Sequence, residues 1–114
     1  MAASNPAGSA ILSESAARHA FVALAADAYR LEAALTFATV AMLRKPGLAL
    51  IAGAGGGLTF DLEAVPAVDS AGLALLIDWL ASARARSCEL HYAKPAQTLL
   101  SLARLSEVEP LLSQ

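Results

Sequence analysis

The chain is short of several things, and each shortage excludes a class. Only 16% of its 114 residues are charged, against roughly 25% in an ordinary soluble domain. Its eight Lys and Arg are scattered among ten Asp and Glu, giving a net charge of −2. With no basic stripe, nucleic acid is disfavoured as a partner. There is one cysteine, Cys88, so no internal disulfide can form, which agrees with a reducing compartment. The histidines are His19 and His91. With Cys88 they are too few and too badly spaced for a zinc site, so no metal or cofactor is expected.

Long hydrophobic runs are also missing. The uncharged stretch from Gly47 to Phe60 is glycine-rich and shorter than the ~18 apolar residues a membrane span needs. Residues 1–18 lack a basic segment followed by an apolar one, so they do not read as a secretion signal. A cytoplasmic location is the expectation.

What is present is Ala and Leu. Hydrophobic residues reach 57% with only 5% aromatics. Such a chain fills one core of ordinary domain size and has apolar residues left for its surface, which points to a protein partner. Residues 1–17 read as a flexible tail and residues 18–114 as a single domain.

Periodicity divides the domain. His19–Ala26 reads as a strand. Tyr29–Phe37 reads as its hairpin partner, with Tyr29, Leu31, Ala33, Leu35 and Phe37 on one side. Ala38–Ala52 reads as a helix broken or kinked at Pro46-Gly47. The glycine-rich run from Gly53 to Gly57 ends it. A strand over Leu58–Val65, a helix over Ser70–Arg86, a strand over Cys88–Ala93 and a helix over Pro95–Val108 follow. The order β-β-α-β-α-β-α implies an α/β layer with some parallel pairing.

Two motifs fail as catalytic sites. The glycine run lacks the Lys and hydroxyl of a phosphate-binding loop and leads from helix to strand, the reverse of the required order. "VDSAG" has Val68 where a nucleophile elbow needs glycine, and its one downstream histidine, His91, falls within a strand. No catalytic residue is assigned, and the chain is expected not to be an enzyme. Asp69 or Ser70 is expected to cap the helix that follows. A hydroxyl at a helix N-terminus is also where a phosphate would meet free amides and the positive dipole end.

That helix has an apolar stripe of Leu73, Leu76, Ile77 and Leu80. The other side carries Ala71, Ala74, Leu75, Asp78, Ser82 and Arg86, with Trp79 on its flank. Leu75 and Trp79, one turn apart, are expected to form an exposed ridge for a partner.

From Leu58 onward the sequence resembles the second half of a STAS domain. The resemblance rests on Asp61-Leu62 ending a strand, then Val68-Asp69-Ser70-Ala71-Gly72-Leu73, a long helix, a short strand and a last helix. It implies a mixed four-stranded sheet flanked by three or four helices, and a non-enzymatic binding module. Within the family the "GLALL" run looks most like the small cytoplasmic subunit of the Mla-type phospholipid-transport ABC system (MlaB). That likeness implies docking on an ABC-type ATPase at the inner-membrane face. The docking residues would be Asp69, Ser70, Ala71, Gly72, Leu75, Asp78 and Trp79, with Gly72 letting the partner backbone approach. The alternative branch is the anti-sigma-factor antagonists, in which the serine matching Ser70 is phosphorylated by an anti-sigma factor kinase. Weak self-association through spare apolar surface is a further expectation.

Overall fold

A computed structural model describes residues 19–106 and residue 110. The expected tail over residues 1–17 lies outside the described residues, as do Glu107 and Val108 at the end of the expected last helix. Among the described residues the chain forms β1 (Phe21–Ala25), β2 (Ala28–Leu31), α1 (Val40–Gly53), β3 (Gly57–Asp61), α2 (Ser70–Ala85), β4 (Glu89–Ala93) and α3 (Gln97–Leu105). The element order is the expected one.

The strands form one sheet in the order β1-β2-β3-β4. β1 and β2 are an antiparallel hairpin. β2–β3 and β3–β4 are parallel, which requires crossover connections, supplied by α1 and α2. Alternation sets the faces. Leu58 and Phe60 of β3 and Leu90 and Tyr92 of β4 are buried, while Glu89 and His91 point out to solvent.

The few aromatics are concentrated where the helices meet the sheet. The Phe60 ring lies 5.4 Å from both Phe21 and Trp79 and 6.3 Å from Tyr92. The Tyr92 hydroxyl donates to the Leu76 carbonyl of α2 at 2.6 Å. Burial, with the Asp78 charge adding to it, pushes this phenol well above its ordinary range.

Three local expectations are corrected. First, β2 stops at Leu31. Residues 32–39 leave the sheet, and only Leu35 returns to pairing, in an isolated bridge with Val68. Phe37, expected in this strand on the same side as Leu31 and Leu35, lies outside it and is 80% exposed, whereas those two are buried.

Second, α1 runs through Pro46 as one helix of 14 residues. Proline there deprives the Met42 carbonyl of its donor, but Met42 lies on the exposed side, where water can take that place.

Third, Leu75 and Trp79 form no exposed ridge. Leu75 is buried and Trp79 is 0% exposed. α2 is covered on two sides, by the sheet and by α1, so its buried set (Gly72, Leu73, Leu75, Leu76, Trp79, Ala83) is wider than one stripe. The expected core residues Ile77 and Leu80 are only half-buried. The shorter differences lie at element ends: α3 begins at Gln97, two residues after Pro95.

Candidate partner-docking site at the start of α2

The junction from β3 to α2 is built on backbone pairing. The Leu35 amide donates to the Ala67 carbonyl at 2.8 Å, and the Asp69 amide donates to the Leu35 carbonyl at 3.0 Å. Segment 32–39 is thereby held against the start of α2. Gly72 makes the approach possible, because a Cβ there would collide with the Leu35 carbonyl. The backbone that Gly72 admits is therefore the chain's own, which corrects the expectation that it receives a partner's.

The cap is Asp69, in extended conformation at φ −126°. Its two oxygens serve different segments. Oδ1 accepts from the Gly72 amide at 3.0 Å, as an N-cap carboxylate should. Oδ2 accepts from the Phe37 amide at 3.0 Å, across 32 residues of sequence. These donors, Phe37 first and Gly72 next, hold the carboxyl below the ordinary aspartate value of 3.8. The site carries a negative charge at neutral pH.

Phe37 is fixed from its own side as well. The Thr39 hydroxyl donates to the Ala34 carbonyl at 2.6 Å and accepts from the Thr36 amide at 3.0 Å. The bend this makes directs the chain into α1. Phe37 is thus an exposed aromatic on a braced loop, immediately beside the α2 cap.

Ser70, the first residue of α2, is exposed, and its hydroxyl makes no hydrogen bond among the described residues. Ser70, Ala74 and Asp78 follow at intervals of four and form a stripe open to solvent, with Ala71 half-buried beside it. Asp78 accepts from the Arg44 Nε–H at 2.9 Å, tying α1 to α2 at the surface. Of the residues expected to meet a partner, Asp69, Ser70, Ala71 and Asp78 share this accessible side. Gly72, Leu75 and Trp79 lie beneath it. Phe37 was missed because "YRLEAALTF" alternates, though imperfectly, like a strand. The available counter-signal was Thr39, a hydroxyl residue directly before a helix, which argues that the strand had already ended.

Residues 21–113 match the family model described as "Mlab, STAS domain". The chain belongs to the STAS domain family. Its fold is that of solved STAS-type structures. One is a protein from Thermotoga maritima described as an anti-sigma factor antagonist, with a TM-score of 0.70 at 15% identity, over 84% of this chain and 86% of that one. Another is the anti-sigma factor antagonist SpoIIAA in its unphosphorylated form, with a TM-score of 0.64 at 19% identity, over 81% and 83%. At such identities the likeness concerns the fold. No curated protein sequence matches this STAS chain significantly. Among its described residues no helix is long and apolar enough to cross a membrane.

Proposed function

We propose that this STAS domain is a non-enzymatic interaction module. In this reading it is the cytoplasmic accessory subunit that docks on the ATPase of an Mla-type lipid-transport ABC system and supports its assembly or activity. The observation that carries the reading is the bridge made by Asp69. Its carboxylate holds the backbone amide of the exposed Phe37 and the Gly72 amide in the first turn of α2, the helix that opens with the exposed Ser70. Aromatic anchors are frequent at interface centres. A hydroxyl with no partner of its own is free to bond across an interface. The family match supports the Mla-type assignment in particular, since the description of the matching model includes the word "Mlab".

The docking face comprises Phe37, Asp69, Ser70, Ala71 and Asp78. The test is co-purification with the ATPase subunit of an Mla-type ABC system from the same organism. Loss of the complex in Phe37→Ala and Ser70→Arg variants that fold normally is the expected result. Undiminished binding by both variants sinks the docking face, and no binding by the parent chain sinks the Mla-type role.

A second reading has its own support. Both solved structures quoted above are described as anti-sigma factor antagonists, and SpoIIAA is described in an unphosphorylated form. Ser70 would then be the phosphoacceptor. A phosphate adds nearly two negative charges; here they would stand beside the Asp69 carboxylate. Incubation with an anti-sigma factor kinase and ATP, followed by intact mass, separates the two readings. A single added phosphate that is absent from Ser70→Ala favours the switch.

A further inference from the structure

A cleft of about 470 Å³ lies between the second half of α2 and the start of β4. Its walls include Ile77, Leu80 and Arg84 of α2 and Glu89 and Leu90 of β4. β4 ends the sheet order, so among the described residues its outer edge pairs with no strand. In the parallel register with β3, the Glu89 amide donates to the Gly56 carbonyl and the Ala93 carbonyl accepts from the Leu62 amide. Residues 89, 91 and 93 thus spend their backbone groups on β3. By alternation, the N–H and C=O of Leu90 and Tyr92 point away from the sheet. The cleft therefore adjoins a strand edge whose backbone groups are open to pairing.

Two bonds set the level of α2 against β4. The Cys88 amide donates to the Ala83 carbonyl at 2.8 Å, and the Tyr92 hydroxyl donates to the Leu76 carbonyl at 2.6 Å. Arg84 thus stands level with Cys88, and Leu80 with Leu90. The α2 wall is apolar beside Leu90 and cationic beside Cys88. Arg84 is exposed, and its guanidinium has no ion-pair partner among the described residues. On the outer face of β4 the Glu89 side chain is 84% exposed.

The geometry points to an extended peptide segment of another protein as the occupant, added antiparallel to β4. A strand pairs with the Leu90 and Tyr92 backbone groups and sends alternate side chains into the cleft. The fixed charges then specify its chemistry. The residue opposite Leu90 faces Leu80 and is apolar. The next stands opposite Glu89 on the outer face and is Lys or Arg. The one after that is level with Cys88, faces Arg84 and is Asp or Glu. Two places earlier, the residue opposite Tyr92 is again apolar. In chain order the segment reads apolar, any, apolar, basic, acidic. The assignment uses no charge on His91. In this chain no Lys or Arg is directly followed by Asp or Glu. Neither its own ends nor a second copy carries the pattern, so the segment belongs to a different protein.

The probe is the peptide acetyl-Val-Thr-Leu-Lys-Glu-amide, titrated into the full ¹⁵N-labelled chain. So short a strand buries far less than the roughly 1,600 Å² of a standard interface, so binding at about 0.1–1 mM is expected. The Leu90 and Tyr92 amides should shift and gain protection from exchange. The Glu89 and His91 amides, already turned toward β3, should gain none. Arg84→Glu, at an exposed position, should weaken binding about fivefold or more, and a peptide ending in Lys-Lys should restore it to that variant. Replacing the peptide Leu by Asp should abolish binding.

No response at about 10 mM peptide overturns the proposal. So does binding that is indifferent to Arg84→Glu, or a response centred on Phe37 and Ser70. Protection of Leu90 and Tyr92 that rises with protein concentration alone gives the edge to a second copy and overturns it as well. None of these measurements involves the ATPase, so they stand apart from the docking face described above.

Discussion

The indole of Trp79 lies directly over the Cα of Gly47 and donates its Nε1–H to the Arg44 carbonyl at 3.2 Å. Trp79 is the largest fully buried side chain, and the notch that admits it is cut in the neighbouring helix by the absence of one methyl group. Gly47→Ala should place its Cβ within the indole, forcing the ring or α1 to move. A loss of about 1–3 kcal/mol is expected in urea unfolding. Trp79→Ala should cost about 3–5 kcal/mol, the usual range for emptying a large aromatic site. The double variant should lose less than the sum, because the clash and the cavity concern the same space. Strict additivity would show that Gly47 and Trp79 are energetically unrelated.

Gly72 stands in a similar relation to Leu35, but the obstructing atom is backbone. A carbonyl held by the Asp69 amide cannot swing aside as a side-chain tip can. Gly72→Ala should therefore be more damaging than Ala substitution at Gly53, where nothing lies within reach of a new Cβ. Thermal melts of the two variants side by side provide the comparison. Equal midpoints would contradict the close approach.

Phe37 separates stability from binding. An exposed side chain has little folding energy to lose, so Phe37→Ala should leave stability within about 0.5 kcal/mol. On the proposed docking face it should weaken the partner complex by about 2 kcal/mol, as an aromatic anchor does. Urea unfolding and calorimetric titration with the partner measure the two effects separately. A large stability loss would mean that the ring packs against this chain after all.

Asp69 predicts an acid-dependent component of stability. Its carboxyl is held below 3.8 by the Phe37 and Gly72 amides, which bond best to the ionised form. A carboxyl depressed on folding contributes stability that is present in full above the unfolded value. That stability is lost as pH falls through the lower folded value. Asp69→Asn keeps an acceptor oxygen but cannot titrate. The gap in stability between parent and variant should be constant at neutral pH and narrow below about 3.8. A gap independent of pH would show that the two amides do not select the charged form.

Much of the fold was legible because it is written in local periods. Leu58, Phe60 and Thr59, Asp61 alternate as a half-buried strand must. Ser70–Ala85 differs from its expected span by one residue at the C-terminus. The glycine-rich run is expected to end the first helix, and α1 ends at Gly53 with β3 starting at Gly57. The errors came where a neighbour distant in sequence outvoted the local pattern. The alternation of Tyr29–Phe37 was broken by Ala67, Val68 and Asp69, which capture Leu35 and Phe37 from another part of the chain. At Pro46-Gly47, expected to break or kink the helix, the helix is unbroken and Gly47 is a packing notch for Trp79.

By itself the sequence determined the order of the elements and the β3–α2 junction, with Asp69 or Ser70 as its cap. Each of these rests on residue types within a few positions of one another. Tertiary structure decided which face of α2 is free. A period of 3.6 reveals that a helix is amphipathic but not how many neighbours cover it. Only the packing of α1 against α2 buried Trp79 and left Ser70, Asp78 and the unforeseen Phe37 at the surface.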